Sequence, residues 1–159
     1  MTSETVPSQG SRPLPLFIEL ELLTGELYEL FAGKYPECRE FWEAISEEER
    51  HHADILRELG NKMKSGEVLF VEGKTRAGAL QTFINYLKQT IANARKEDFP
   101  LSKALSIALD IERSFLEKSA LDHFRGDSRD VGITLEKLKS DTREHARRIE
   151  TAWRRIKET

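Results

Sequence analysis

Glu49 and His52 are the first residues here whose types and spacing suggest chemistry. They lie three apart in "SEEERHHADIL", residues 46–56. On a helix, that spacing puts both side chains on one face, where both can bind one cluster. The surrounding apolar stripe reads Phe41, Ile45, Leu56, Leu59, Met63, and continuing it through its gap lands on Glu49 and His52. Glu47, Glu48 and His51 fall off the stripe and are expected to face water. Glu112 interrupts a second seam, Leu105, Leu109, Leu116 and Ser119. His145 interrupts a third, Leu135, Leu138, Ile149, Ala152 and Ile156, with Thr142 one turn before it. Glu21 shares a face with Phe17, Ile18, Tyr28 and Ala32, and Glu19 and Glu26 offer the alternative registers.

An unpaired buried carboxylate costs several kcal/mol, on the order of a domain's net stability. Four helices repeating the same feature therefore need a common neutraliser. Mutual hydrogen bonding, partial protonation and bound cations all qualify. Glutamate and histidine together, with no Lys or Arg on the same seams, favour transition-metal cations. The alternatives are a metal-free buried ion pair for Glu49 and His52, and a hydrogen-bonded core histidine for His145.

The elements that must position these groups are four long helices and one extra helix, with no strand series. The first spans about Pro15 to Gly33, and the second about Pro36 to Lys64, with proline in its first turn. A connector, "SGEVLFVEGKTRAG", leads to a shorter helix carrying Leu80, Phe83, Ile84, Leu87 and Ile91. "DFPLSKAL" starts the third long helix, expected to reach about Phe124, and "RGDSRDVG" is a turn-rich loop before a fourth from Ile133. Short links make antiparallel hairpins of the first two and the last two long helices. The long middle link carries the chain across the bundle. This all-α connectivity is that of a ferritin-like four-helix bundle: two antiparallel hairpins joined by a long crossover with an extra helix. The domain is expected over residues 14–159, behind a flexible polar lead at 1–13.

Net charge of -3 and a pI near 5.9 give no push toward nucleic acid or anionic membrane. No apolar run suits a membrane span. The lone cysteine, Cys38, fits a reducing, cytoplasmic setting. "VEGKT" lacks the earlier glycine of a phosphate-binding loop, since that place holds Val68. The arginines from Arg143 to Arg155 alternate with Glu144 and Glu150 at salt-bridge spacing and read as a solvated face. His51 and His123 read as surface residues.

The sequence resembles the rubrerythrin branch of the ferritin-like superfamily over about residues 14–155. The resemblance rests on "ELLTGELYELFA" with Glu21 and Tyr28, "EEERHHADIL", "ALSIALDIERSFLEK" with Glu112, and "LEKLKSDTREHARRIE" with its Glu-His-Ala. It implies a carboxylate-bridged metal site with Glu21, Glu49, His52, Glu112 and His145 as ligands, holding one or two ions. Iron leads, and other divalent transition metals are alternatives. It also implies oxygen- or peroxide-linked redox chemistry, or iron oxidation. Tyr28 is a candidate hydrogen-bonding or electron-donating neighbour, or plain packing. Two departures stand out. The family pattern has Glu three residues before the fourth-helix His, and this chain has Thr142. One cysteine cannot build a rubredoxin-like iron domain, so an external electron donor is expected. A homodimer is expected too. A non-catalytic helical module with one structural metal, or none, is the competing reading.

Overall fold

The computed structural model describes residues 13–66, 77–117 and 129–158. It contains α1 (Pro13–Lys34), a short 3-10 turn (Pro36–Cys38), α2 (Arg39–Lys64), α3 (Ala77–Lys96), α4 (Leu101–Glu117) and α5 (Arg129–Lys157). No strand occurs among the described residues. No helix among them is long and apolar enough to cross a membrane.

α1 is the central helix. Leu14, Phe17, Leu20, Leu27, Tyr28 and Phe31 are buried around most of its circumference, because α2 covers one side and α3 another. Leu14 meets Gly60 and Gly25 meets Glu49, so α1 and α2 run antiparallel. Glu19 pairs with Lys88 and Glu26 with Arg95, so α3 runs parallel to α1 and returns the chain to the far end. There the Tyr35 hydroxyl donates to Phe99 O at 2.6 Å, and Lys34 Nζ donates to Glu97 O at 2.8 Å. These bonds tie the α1–α2 turn to the α3–α4 turn. α4 packs on α5, and α5 crosses back along α2. The expected hairpins and crossover are both present.

Some boundaries differ from the periodicity. α1 starts at Pro13, two residues early, with proline in the first turn where its missing N–H costs nothing. Pro36 opens the 3-10 turn, and α2 proper starts at Arg39. α5 begins at Arg129, four residues before Ile133, because buried Val131 continues the Leu135 and Leu138 stripe by one more turn. Of the expected lead at 1–13, Pro13 opens α1 and residues 1–12 lie outside the described residues, as do the "VEGKT" stretch, His123 and the expected continuation of α4 to 124.

Candidate metal centre

Five ionisable side chains from four helices meet in the bundle centre: Glu21 of α1, Glu49 and His52 of α2, Glu112 of α4 and His145 of α5. Each is at most 5% exposed. They form two overlapping triads, Glu21–Glu49–His52 and Glu49–Glu112–His145, with the donor atoms of each triad within 4.8 Å of one another. Glu49 belongs to both. Its Oε1 lies 2.8 Å from His145 Nδ1, and its Oε2 lies 3.6 Å from His52 Nδ1. Glu21 Oε2 is 3.8 Å from His52 Nδ1, and Glu112 Oε1 is 3.7 Å from His145 Nδ1. The two imidazoles stack at 5.5 Å. The alternative registers on α1 are surface ion pairs, since Glu19 and Glu26 both bridge to α3.

Both histidines turn Nδ1 inward and Nε2 outward. His52 Nε2 lies 3.1 Å from Asp141 Oδ2, and Asp141 is held in turn by Lys137 at 3.2 Å. His145 Nε2 contacts Glu48, which also accepts from Arg148. Glu48 was expected to face water only. It is half-exposed, but its length lets it reach across to α5. Outer carboxylates of this kind fix the tautomer and orientation of an imidazole whose other nitrogen binds a metal. Glu48 and Asp141 each stand one residue before a seam residue, Glu49 and Thr142, so helical angle alone sets them aside.

The charge balance within the centre follows from burial. Desolvation, and then Glu49, push the Glu21 carboxyl well above its usual range. Burial pulls His52 down, but Glu21 and Glu49 outweigh it and raise its pKa to about 11. Burial is likewise overcome at His145 by Glu112 and Glu49, which raise it to about 10. Tyr28 donates to Glu112 Oε1 at 2.7 Å. Burial, Glu112 and Glu49 all push its hydroxyl pKa well up. Without metal, then, two imidazoliums lie among three carboxyl groups, and burial pushes that of Glu21 toward its protonated form.

The donor set suits divalent transition metals: three carboxyl groups and two imidazole nitrogens, with no Lys or Arg among them. One observation points past a simple ion-pair network. His52 Nδ1 is buried with no hydrogen-bond partner, although it is aimed between two carboxylates. A buried polar atom left unpaired costs about 1–3 kcal/mol, and a shared cation would satisfy it. Cys38 is unsuited to join such chemistry, because burial and Glu37 push its thiol up, away from the thiolate. On α5, Arg143 pairs with Glu136, Arg147 with Glu144, Arg154 with Glu150 and Arg148 with Glu48.

Gly25 positions Glu49. Ser46 Oγ donates to Gly25 O at 2.7 Å and draws α2 against α1. A methyl at Gly25 would meet Ser46 O at 3.3 Å and Glu49 Cβ at 3.5 Å. Alanine adds about 0.5–1 kcal/mol of helix preference, but overpacking costs about 1–3 kcal/mol, so the second effect prevails. Gly25→Ala is expected to lower stability by about 1 kcal/mol in denaturant melts and to weaken metal binding by shifting Glu49. A stabilised variant with unchanged metal affinity would refute this placement.

A helical bundle with a central buried group of glutamates and histidines able to hold metal is a ferritin-like bundle. The family model for rubrerythrin matches residues 18–114, more than half of the chain, and the chain belongs to the rubrerythrin family. The match ends within α4, so Thr142 and His145 lie beyond it. No curated protein and no solved structure matches the chain.

Proposed function

We propose that this protein binds two divalent transition-metal ions, iron foremost, one at each triad, and serves oxygen- or peroxide-linked redox chemistry or iron oxidation. The observation that carries this reading is Glu49, whose two oxygens face different histidines as a bridging carboxylate would. Glu21 and His52 would complete one position, and Glu112 and His145 the other. Bound metal would supply redox change and open coordination places. The chain's own part is to exclude bulk water, to hold the imidazoles through Asp141 and Glu48, and to keep a proton at Tyr28 Oη beside Glu112. With one cysteine in the sequence, electrons would come from a separate donor.

Thr142 favours a second reading, a helical module with one structural metal or none. It is buried and donates to Leu138 O at 2.9 Å, so it brings no carboxylate to the centre. Stoichiometry separates the two. Protein purified without chelator and titrated anaerobically with ferrous iron is expected to hold about two ions per chain, as two three-ligand positions require. Elemental analysis giving at most about one ion, or none, would favour the module.

A further inference from the structure

Trp42 is the hub of an aromatic cluster and meets the glutamate–histidine centre through one ring. Its centroid lies 5.0 Å from that of Phe31, 5.1 Å from Phe41 and 5.6 Å from Tyr28. Trp42 and Tyr28 are both fully buried. Trp42 Nε1 has no hydrogen-bond partner, although a buried indole N–H usually finds one. The Tyr28 hydroxyl instead donates to Glu112 Oε1 at 2.7 Å. The difference matters when an electron is removed. An oxidised indole is a cation radical that is relieved by losing its N–H proton, and here no acceptor stands beside it. Its positive charge would stay in a buried apolar cluster, which is costly. An oxidised phenol must also lose its proton, and Tyr28 already points it at a carboxylate. Two other rings are poorer end points. Tyr35 donates to the backbone carbonyl of Phe99, which is too weak a base to take a proton. Trp153 lies 3.8 Å under the Lys157 ammonium, which opposes a second positive charge on that ring.

We propose that Trp42 and Tyr28 form a one-electron relay that ends on Tyr28, with Glu112 as its proton acceptor. A one-electron oxidant, of the kind that oxygen and peroxide chemistry releases, takes an electron from the Trp42 indole. Tyr28 returns an electron across the ring contact, and its O–H bond breaks as the proton bonds to Glu112 Oε1. The products are the reduced oxidant, an intact Trp42, a neutral phenoxyl radical at Tyr28 and a carboxylic acid at Glu112. A buried cation radical and a carboxylate thus become two neutral groups, which a low-dielectric interior favours. Oxidising equivalents that enter the core come to rest on Tyr28. The relay uses only side chains of this protein, so it stands apart from the metal reading.

The test uses the full chain, treated with chelator and carrying Cys38→Ser, Tyr86→Phe and Trp153→Phe, which silences the more accessible oxidisable side chains. Flash-generated ruthenium(III) tris(bipyridine) is the oxidant. Transient absorption and freeze-quench electron paramagnetic resonance read the radical. A short-lived tryptophanyl signal that gives way to a lasting tyrosyl one is expected, with a slower tyrosyl rise in D2O. Tyr28→Phe should hold the radical on Trp42. Glu112→Gln, whose amide takes no proton, should slow the tyrosyl rise at least about a hundredfold, the usual scale for losing a general base. Trp42→Phe should abolish the fast tyrosyl phase, and the two near-isosteric variants decide the matter if this one does not fold. An unchanged tyrosyl signal in Tyr28→Phe would place the radical on Tyr35 and overturn the relay. A lasting tryptophanyl signal with Tyr28 intact would overturn it too. An unchanged rise in Glu112→Gln would refute the proton transfer.

Discussion

Glu49→Gln is expected to weaken both metal positions together, whereas Glu21→Gln and Glu112→Gln should each weaken one. The reason is geometric. Glu49 Oε1 lies 2.8 Å from His145 Nδ1, while Oε2 lies 3.6 Å from His52 Nδ1, so each oxygen serves a different triad. An amide keeps one oxygen, loses the charge, and puts an NH2 that cannot coordinate in the other place. Losing an outer partner of a metal ligand typically costs about 10–100-fold in affinity, and losing a shared inner ligand should cost at least about a hundredfold. Elemental analysis after iron loading should show less than one ion in Glu49→Gln and about one in each of the other variants. One tightly held ion in Glu49→Gln would break the two-triad arrangement. Because glutamine is nearly isosteric, melting of the metal-free variants separates loss of ligand from loss of fold.

Metal and pH should act on stability in opposite directions. In the metal-free protein, His52 and His145 titrate at about 11 and about 10 when folded. Their unfolded value is about 6.5. Raised values mean that the imidazoliums stabilise the fold fully below about pH 6.5, and that this contribution is lost as pH climbs through about 10–11. Glu21 adds to the same trend. Its folded value is raised by burial, so ionising it costs stability as pH rises above the usual carboxylate range. The metal-free protein should therefore lose stability as pH rises. Metal coordination needs neutral imidazoles and ionised carboxylates, so binding displaces these protons and strengthens with pH. Each displaced proton contributes about 1.4 kcal/mol per pH unit. The melting-temperature gap between metal-loaded and chelator-treated protein is expected to widen from pH 6 to pH 8.5, a window in which both histidines are still protonated without metal. A constant gap across that window, with metal shown to be bound, would contradict the proton inventory of the centre.

Helical periodicity alone placed Glu49, His52, Glu112 and His145 on inward faces and left Glu21 open against Glu19 and Glu26; Glu21 and those four are all buried. The signal was strong because a charged residue on an apolar stripe breaks a pattern that repeats every 3.6 residues. Link lengths likewise determined the hairpins and the crossover, since a short link leaves two helices no choice but to pack side by side. Thr142 was also visible as the one seam position next to a histidine without a carboxylate.

What periodicity could not decide was distance. It states the angle at which a side chain leaves its own helix, but not how near the next helix lies. Glu48 and Asp141 leave at angles that point past the core, yet both reach the outer nitrogens of the histidines, because α2 and α5 approach closely enough there for a carboxylate of one to meet an imidazole of the other. The need for glycine at residue 25 arises only in the docked helices, where Ser46 O and Glu49 Cβ come against it. A small cavity beside Thr142 and Glu112 needed Phe83 of α3, a residue far away in sequence that reaches it only through the crossover. The sequence determined which groups are buried and which helices pair. The close approach of those helices determined which oxygen faces which nitrogen, because contacts of a few ångströms depend on the docking of whole elements and not on the pitch of any one.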